Sequence, residues 1–307
     1  KLAKVKYKIH SSLLLNETSA LCTWHAPESH YLETWGDARA LDGTVSIQQP
    51  LIAPIYQTKS HLELLTALLD ESTSAYDLVR QTWRGNKLAT GPGFDKAWAT
   101  WLNDGVVPGT ATPGSSVTVG TLSLPPAPES QGIEIAFRPD PTVWDGRFAN
   151  NGWLQELPKP LTTHTWDNAA YISAKMADDL GISTGDHIQV SLGGKSVTIP
   201  ALIHVGHPDD VVTLPFGYGR RVVGAVGDKT GTDVYSLRTT QGLWSASGAE
   251  VKKVGGRTRI AMTQTHHSME GRDLIKEATV DAFVQNPTFA AAGDKEEFKE
   301  LSMYPEV

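Results

Sequence analysis

Cysteine is almost absent, with Cys22 the only one in 307 residues. A single thiol excludes an intramolecular disulfide, a thiolate zinc site and a self-contained iron–sulfur cluster. An excess of positive charge is also missing. The formal net charge is −7 and the sequence pI about 5.8, so no global basic field recruits nucleic acid. No apolar run approaches the roughly 18 residues that a membrane-crossing helix needs. Residues 1–10 lack the basic, apolar and small-residue succession of a signal peptide. Instead Val5, Tyr7 and Ile9 alternate as in a strand. The first residue is Lys1 rather than Met, which sets the expectation of a piece processed or excised from a longer protein. There is no internal repeat, no GxSxG elbow, no GxGxxG or P-loop, and no HExxH pair. What is present is ordinary for a globular chain: 40% hydrophobic and 20% charged residues, enough for one large or two medium domains with real cores.

The best-specified stretch runs from Thr165 to Ile203. Asp167 or Asn168 can cap the open amides of a helix start. Ile172, Met176 and Leu180 repeat at i, i+4, i+8, with Ala169 and Ala177 beside them, which predicts one apolar helical stripe. Gly181 ends that helix as a left-handed cap. After the Thr184-Gly185-Asp186 turn the period becomes two, with Ile188, Val190 and Leu192 on one face. Gly193-Gly194 is a two-residue hairpin turn, and Val197, Ile199, Ala201 and Ile203 return on the same face. Pro200 cannot donate to a ladder, so it belongs at an edge or beside a bulge.

Before this stretch, residues 5–10, 13–15, 21–24 and 44–47 read as short strands. Ser60, with Glu63 three residues on, predicts a capping box for a helix over 61–70. Further helices are expected over 74–84, with Tyr76, Leu78, Val79 and Trp83 inward, and over 94–102, with Phe94, Trp98, Trp101 and Leu102 inward. Residues 105–132 are rich in Gly, Pro, Ser and Thr and mark a boundary or surface crossing. Ile133, Ile135 and Phe137 then alternate as a strand that ends at Arg138-Pro-Asp-Pro141. Residues 211–215, 234–237, 251–254 and 259–263 are further short strands, and many short strands with glycine turns indicate a closed barrel. The resulting fold class is α/β plus mainly β. The expected divisions are 1–110, a crossing over 111–131, a barrel over 132–290 and a charged linker over 291–307.

Four groupings carry possible chemistry. His266-His267, with His204 and His207, would be a metal site only if adjacent strand histidines shared a face, which they do not. Hydrogen-bonded or surface imidazoles are expected. Trp24, His25, His30, Glu33, Trp35 and Asp37 read either as an acid/base pocket or as a structural loop whose rings fill a domain junction. The structural loop is the expectation. Ser115-Ser116 lies in the crossing and offers no hydrolase. Phe216-Gly-Tyr-Gly-Arg-Arg221 follows a strand; glycines admit close backbone approach and arginines suit phosphate. It reads as a pyrophosphate-facing loop or as a barrel turn with solvated arginines.

Taken in order, several of these segments resemble one family. Asn16-Glu-Thr18, Trp24-His-Ala-Pro-Glu-Ser-His-Tyr-Leu-Glu-Thr-Trp-Gly-Asp37 and Asp42-Gly43 are similar to the third domain of molybdopterin-dependent oxidoreductases. Pro160-Leu-Thr-Thr-His-Thr165, the helix to Gly181, Thr184-Gly185-Asp186 and Gly217-Tyr-Gly219 resemble their C-terminal domain. Within that family His30-Tyr-Leu-Glu-Thr-Trp-Gly-Asp37, Gln48-Gln-Pro50 and Trp153-Leu-Gln-Glu156 most resemble the large iron–sulfur subunit of alternative complex III.

The resemblance implies a Rossmann-like α/β portion over 1–110 and a double-psi β-barrel of the aspartate-decarboxylase kind over 132–290. It implies a parent on the periplasmic or outer face of the membrane, passing electrons from quinol with other subunits of a respiratory complex. Cluster-binding cysteines would follow Val307, in an iron–sulfur domain, and the catalytic metal ligand would precede Lys1. If the parent held molybdopterin guanine dinucleotide, Thr163, His164, Thr165, Asn168, Gly217, Tyr218 and Gly219 would contact it. Active relatives carry Gly-Thr and Asn-x-Glu-Gly-Arg runs after the loop glutamate, whereas this chain reads Thr34-Trp-Gly-Asp-Ala-Arg39. The resemblance therefore implies a scaffold that retains the pterin fold without pterin. A working molybdenum oxidoreductase and a lyase using the barrel alone are its rivals.

Overall fold

The computed structural model describes residues 2–86, 93–123, 132–263 and 275–291. Residues group into a compact unit, Lys1–Ala261, and a second unit, Met262–Val307. The tandem His266-His267 lies outside the described residues. The second unit contributes a described α-helix, Val280–Gln285, capped by the Thr279 hydroxyl, and a 3-10 turn, Phe289–Ala291.

The first unit has two apolar cores. The N-terminal part contributes two small ladders. Strand β1 (Ile9–Ser12) runs parallel to β2 (Trp24–Pro27), and β3 (Gly36–Arg39) runs antiparallel to β4 (Val45–Gln48). Three helices follow: α1 (His61–Leu68), α2 (Ala75–Arg84) and α3 (Phe94–Asp104). The Ser60–Glu63 capping box forms as expected. The inward faces are mostly as expected: Val79, Trp83, Phe94, Trp98 and Trp101 are buried against Val45, Ile47 and Val107, Tyr76 and Leu102 are partly buried against them, and Leu78 is not part of this core. Trp35 leaves its loop to pack edge-on against Tyr76, ring centroids 4.9 Å apart. Aromatic edge-to-face packing holds this layer together.

The second core fills a closed six-stranded barrel, in the order β10-β5-β9-β6-β8-β7. The strands are β5 (Ile133–Pro139), β6 (Ala170–Ile172), β7 (Asp186–Leu192), β8 (Lys195–Ile203), β9 (Val211–Phe216) and β10 (Ser245–Arg257). Alternate residues point inward, as the two-residue strand period requires. Ile135, Phe137, Ile188, Val190, Ile199, Val212 and Leu214 have no measurable exposure. Pairing is parallel for β5–β9 and β6–β8 and antiparallel elsewhere. Pro200 sits at neither an edge nor a bulge: within the closed barrel it pairs with His187 of β7, and the β6 pairing begins one residue later at Ala201. The Gly193-Gly194 hairpin joins β7 to β8 with both glycines at positive φ.

Several local expectations are corrected. Residues 170–172 are not the start of a helix but strand β6, because they pair with Ala201–Ile203 and with Thr213. The helix begins later, as α4 (Ala174–Leu180), with Ser173 as its cap and Gly181 at φ 63 ending it. Asp167 and Asn168 cap nothing. The first strand is 9–12 rather than 5–10, residues 13–15 form none, and residues 19–21 form a 3-10 turn before β2. Strand β3 lies inside the presumed loop. Residues 235–237 are a 3-10 turn, 251–254 are one part of the long β10, and 259–263 form no barrel strand. For β6 the cause is pairing with sequence-distant partners, which overrides local propensity.

Truncation tests the barrel core. Leu214→Ala should cost about 2–5 kcal/mol of unfolding free energy in urea, whereas Leu161→Ala, at a site 82% exposed, should change it by less than about 0.5 kcal/mol.

Candidate functional site

Glu17 and Arg220, 203 residues apart, meet at the loop that follows β9. Asn16 accepts from the Thr18 and Ser19 amides through Oδ1, which turns the chain and presents Glu17. The Glu17 carboxylate reaches the loop after β9. Arg220 donates to it through Nη2 at 2.7 Å and Nε at 3.4 Å, and the Arg221 and Val222 amides donate at 2.8 and 3.2 Å. Burial pushes the Glu17 carboxyl up, but the Arg220 guanidinium and the two amides outweigh it, leaving its pKa at about 2. Arg220 also donates to the Gly146 carbonyl at 2.8 Å. The Arg220 guanidinium is thus paired within the chain, whereas Arg221 is exposed.

The loop glycines serve the chain's own packing. A Cβ on Gly217 would lie 2.4 Å from the Trp144 carbonyl, and one on Gly219 would lie 2.0 Å from the Asp233 nitrogen. Both sit at positive φ, 119° and 78°. Close approach is real here, but to backbone.

Behind the loop lies a buried polar cluster that spacing did not single out. Asp140 accepts from the Thr142 and Val143 amides and the Thr142 hydroxyl through Oδ1. Its other oxygen faces the Lys159 ammonium at 3.5 Å, and Lys159 donates to the Tyr218 hydroxyl at 3.1 Å. Asp140 and Lys159 side chains are 0% and 2% exposed. Burial lowers the Lys159 pKa below its ordinary value, against the opposing pull of Asp140. Burial likewise raises the Tyr171 and Tyr218 hydroxyls. The only sequence hints were an aspartate and a lysine each set between prolines, in Pro139-Asp-Pro141 and Pro158-Lys-Pro160. Proline fixes the chain direction there, but charge pairing across it cannot be read from spacing.

The residues implied as cofactor contacts are placed as follows. His164 is fully buried. Its Nε2 lies 2.8 Å from the Asp167 carbonyl, an acceptor only, so Nε2 carries the proton and Nδ1 accepts from the Thr162 hydroxyl at 2.8 Å. Burial, reinforced by Lys159, lowers the His164 pKa to about 4. Asn168 donates to the Pro215 and Thr232 carbonyls and accepts from the Thr232 amide. Thr165 is buried and its amide donates to Ala261. Thr163 and Trp166 flank this pair at φ 55 and 68, a region uncommon for such side chains. Thr163, His164, Thr165 and Asn168 thus form one tight, inward-turned segment. Gly217, Tyr218 and Gly219 lie together in the loop, and Tyr218 and Gly219 line a groove of about 490 Å³. A neighbouring cleft of about 570 Å³, between residues 12–16, the Trp35 loop and Arg220, is lined by none of Thr163, His164, Thr165 or Asn168.

Several groups of the 24–37 stretch are bonded within the chain, and Trp35 and Asp37 also line the 570 Å³ cleft. Glu33 accepts from the His30 and Ile55 amides, and Asp37 accepts from the Trp83 indole at 2.7 Å. His25 stacks on His10, with Nδ1 atoms 3.0 Å apart. His204 and His207 stack edge-on, and Nε2 of His207 meets the Thr213 hydroxyl. Among the described residues no group of three or more His, Cys, Asp or Glu could hold a metal ion, and no helix is long and apolar enough to cross a membrane.

A small α/β layer together with a closed six-stranded barrel, apolar inside and with a buried polar cluster beside it, is the class that fold and site define. The chain is 24% identical over 277 residues to the "menaquinone reductase, molybdopterin-binding-like subunit" of Nitratidesulfovibrio vulgaris, covering 82% of this chain and 38% of the relative. It thus spans well under half of that relative's length. Its fold is similar to that of acetylene hydratase from Pelobacter acetylenicus, with TM-score 0.53 and 13% identity over 70% of this chain and 34% of the other. No family model matches the chain. The sequence likeness supports the molybdopterin-oxidoreductase resemblance at the level of the broad family, and the structural likeness shows a shared fold. Neither singles out the alternative complex III branch.

Two measurements test the buried cluster. Lys159→Ala should cost about 3–5 kcal/mol in urea unfolding, because it leaves the Asp140 charge unpaired, and adding Asp140→Asn should recover part of that. Because His164 titrates near 4 when folded and near 6.5 when unfolded, the unfolded chain takes up the extra proton between those values. Stability should therefore fall as pH drops through that window, by roughly 3 kcal/mol from this group, and His164→Gln should flatten the slope.

Proposed function

We propose that this chain is part of a molybdopterin-oxidoreductase-like subunit of a respiratory quinol-linked electron-transfer complex, acting as a cofactor-free scaffold. The likeness to a menaquinone reductase subunit supports the complex and the presence of other subunits as partners. In this reading residues 1–110 are a portion of a Rossmann-like domain, residues 132–290 center on a double-psi barrel, and residues 291–307 lead toward an iron–sulfur domain. The subunit would work at the periplasmic or outer face of the membrane, peripherally, in the alternative complex III manner.

One observation carries the scaffold reading: the polar groups that would meet a pterin dinucleotide are already bonded within the chain. The Asn168 amide bridges Pro215 and Thr232, His164 uses both ring nitrogens internally, and Arg220 is neutralised by Glu17. Releasing such bonds costs about 1–3 kcal/mol for each group left unsatisfied. A carboxylate beside Arg220 also repels phosphate. In this reading these residues do not fit the dinucleotide.

The rival reading, half of the cradle of an active molybdenum oxidoreductase, makes a different prediction. Metal analysis of the purified full-length parent should find molybdenum and tungsten far below one atom per chain. Stoichiometric amounts of either would overturn the scaffold and establish the rival.

A further inference from the structure

The buried Asp140–Lys159 pair is arranged more specifically than a salt bridge requires. The two carboxylate oxygens of Asp140 have different surroundings. Oδ1 accepts from the Thr142 amide at 2.9 Å, the Thr142 hydroxyl at 2.7 Å and the Val143 amide at 3.1 Å. Oδ2 is buried without a hydrogen-bond partner and faces the Lys159 ammonium at 3.5 Å. Three donors on one oxygen draw electron density from the carboxyl carbon, as an oxyanion hole does. The other oxygen stands free beside an amine. Lys159 also donates to the Tyr218 hydroxyl at 3.1 Å, and that hydroxyl is bonded in turn to the Thr142 side chain. Prolines flank both residues, in Pro139-Asp-Pro141 and Pro158-Lys-Pro160. Their fixed φ angles hold the two backbones in place. With the side chains 0% and 2% exposed, separated charges here cost desolvation that a neutral link would not. The same burial lowers the Lys159 pKa, which favours the neutral, nucleophilic amine.

We propose that Asp140 and Lys159 react with each other to form an intramolecular isopeptide bond, a side-chain amide between Cγ of Asp140 and Nζ of Lys159. Nζ attacks Cγ and the C–N bond forms. The Cγ–Oδ2 bond breaks, and Oδ1 remains as the amide oxygen among its three donors. Two of the three ammonium protons leave with Oδ2 as water, and the third stays on the amide nitrogen. The carboxylate and ammonium charges cancel, so the step needs no oxidant, reductant or co-reactant. The Tyr218 hydroxyl touches Nζ and is the group placed to carry a proton from it. An amine and a carboxyl held together in one orientation react as an intramolecular pair, and exclusion of water slows the reverse hydrolysis. The link ties the residue that follows β5 to one 19 positions later. It restricts the unfolded chain as a disulfide would, in a protein whose single Cys22 can form no internal disulfide, and reductants do not open it. The inference goes beyond the scaffold reading and does not depend on it.

Tryptic peptide mapping by mass spectrometry of the purified protein, denatured and reduced before digestion, tests this. Arg147 lies between the two residues, so trypsin separates their peptides unless a side-chain link joins them. The expected product is one branched peptide containing residues 140 and 159, lighter than the two separate peptides together by one water. Fragmentation should place the join at Asp140 and Lys159. Water lost by cyclisation of Asp140 onto its own backbone is not an alternative, because Pro141 has no N–H to attack. Lys159→Arg, which keeps the positive charge, and Asp140→Ala should each give only the separate peptides. Recovery of only the separate peptides from the wild-type protein overturns the proposal, and so does a branched peptide that persists in either variant. Where a variant fails to fold, the wild-type map alone decides, since the link is read on the denatured chain.

Discussion

The barrel closes through one strand. Strand β10 pairs with β5 along its first residues and with β7 along the rest, with register shifts between Ala246 and Ala249 and between Lys253 and Arg257. Glycines at positive φ, Gly248 and Gly256, sit within those shifts. Bulges bend and twist a strand, and this bend carries β10 from one side of the sheet to the other. Without it the sheet would be open, with β5 and β7 as free edges and the apolar faces of Ile188, Val212 and Leu214 only half covered.

Closure has a consequence for the polar groups at the barrel end. Asp140, Lys159, His164 and Asn168 lie where water is excluded, so each must find its partner within the chain. The Asp140–Lys159 pair, the single tautomer of His164 and the three bonds of Asn168 meet that requirement. The same economy governs the loop after β9. Glu17 and Asp228 take the amides of the loop that would otherwise greet an anion.

Part of this was legible in advance. The Ser60–Glu63 box, the aromatic faces of α2 and α3, the Gly181 cap and the Gly193-Gly194 hairpin are local devices, and the order of residues states them directly. The expectation of a closed barrel rested on strand length and turn spacing, and the closed ladder agrees with it. The three residues of β6 were misread as helix, since Ile172 falls in step with Met176 and Leu180. The partners that make them a strand lie near 201–203 and 213. The convergence of Asn16-Glu-Thr18 with Gly217-Tyr-Gly219 was legible as a shared likeness but not as contact. The pairing of Asp140 with Lys159 left no trace in spacing.

By itself the sequence determined the local elements, the two apolar cores and the absence of a thiolate centre, because period, caps and composition act over a few residues. The tertiary structure alone decided which polar groups are available. Whether Asn168, His164 or Arg220 faces a ligand or its own chain depends on which distant carbonyl or carboxylate folding brings to about 3 Å, and no pattern of neighbours encodes that.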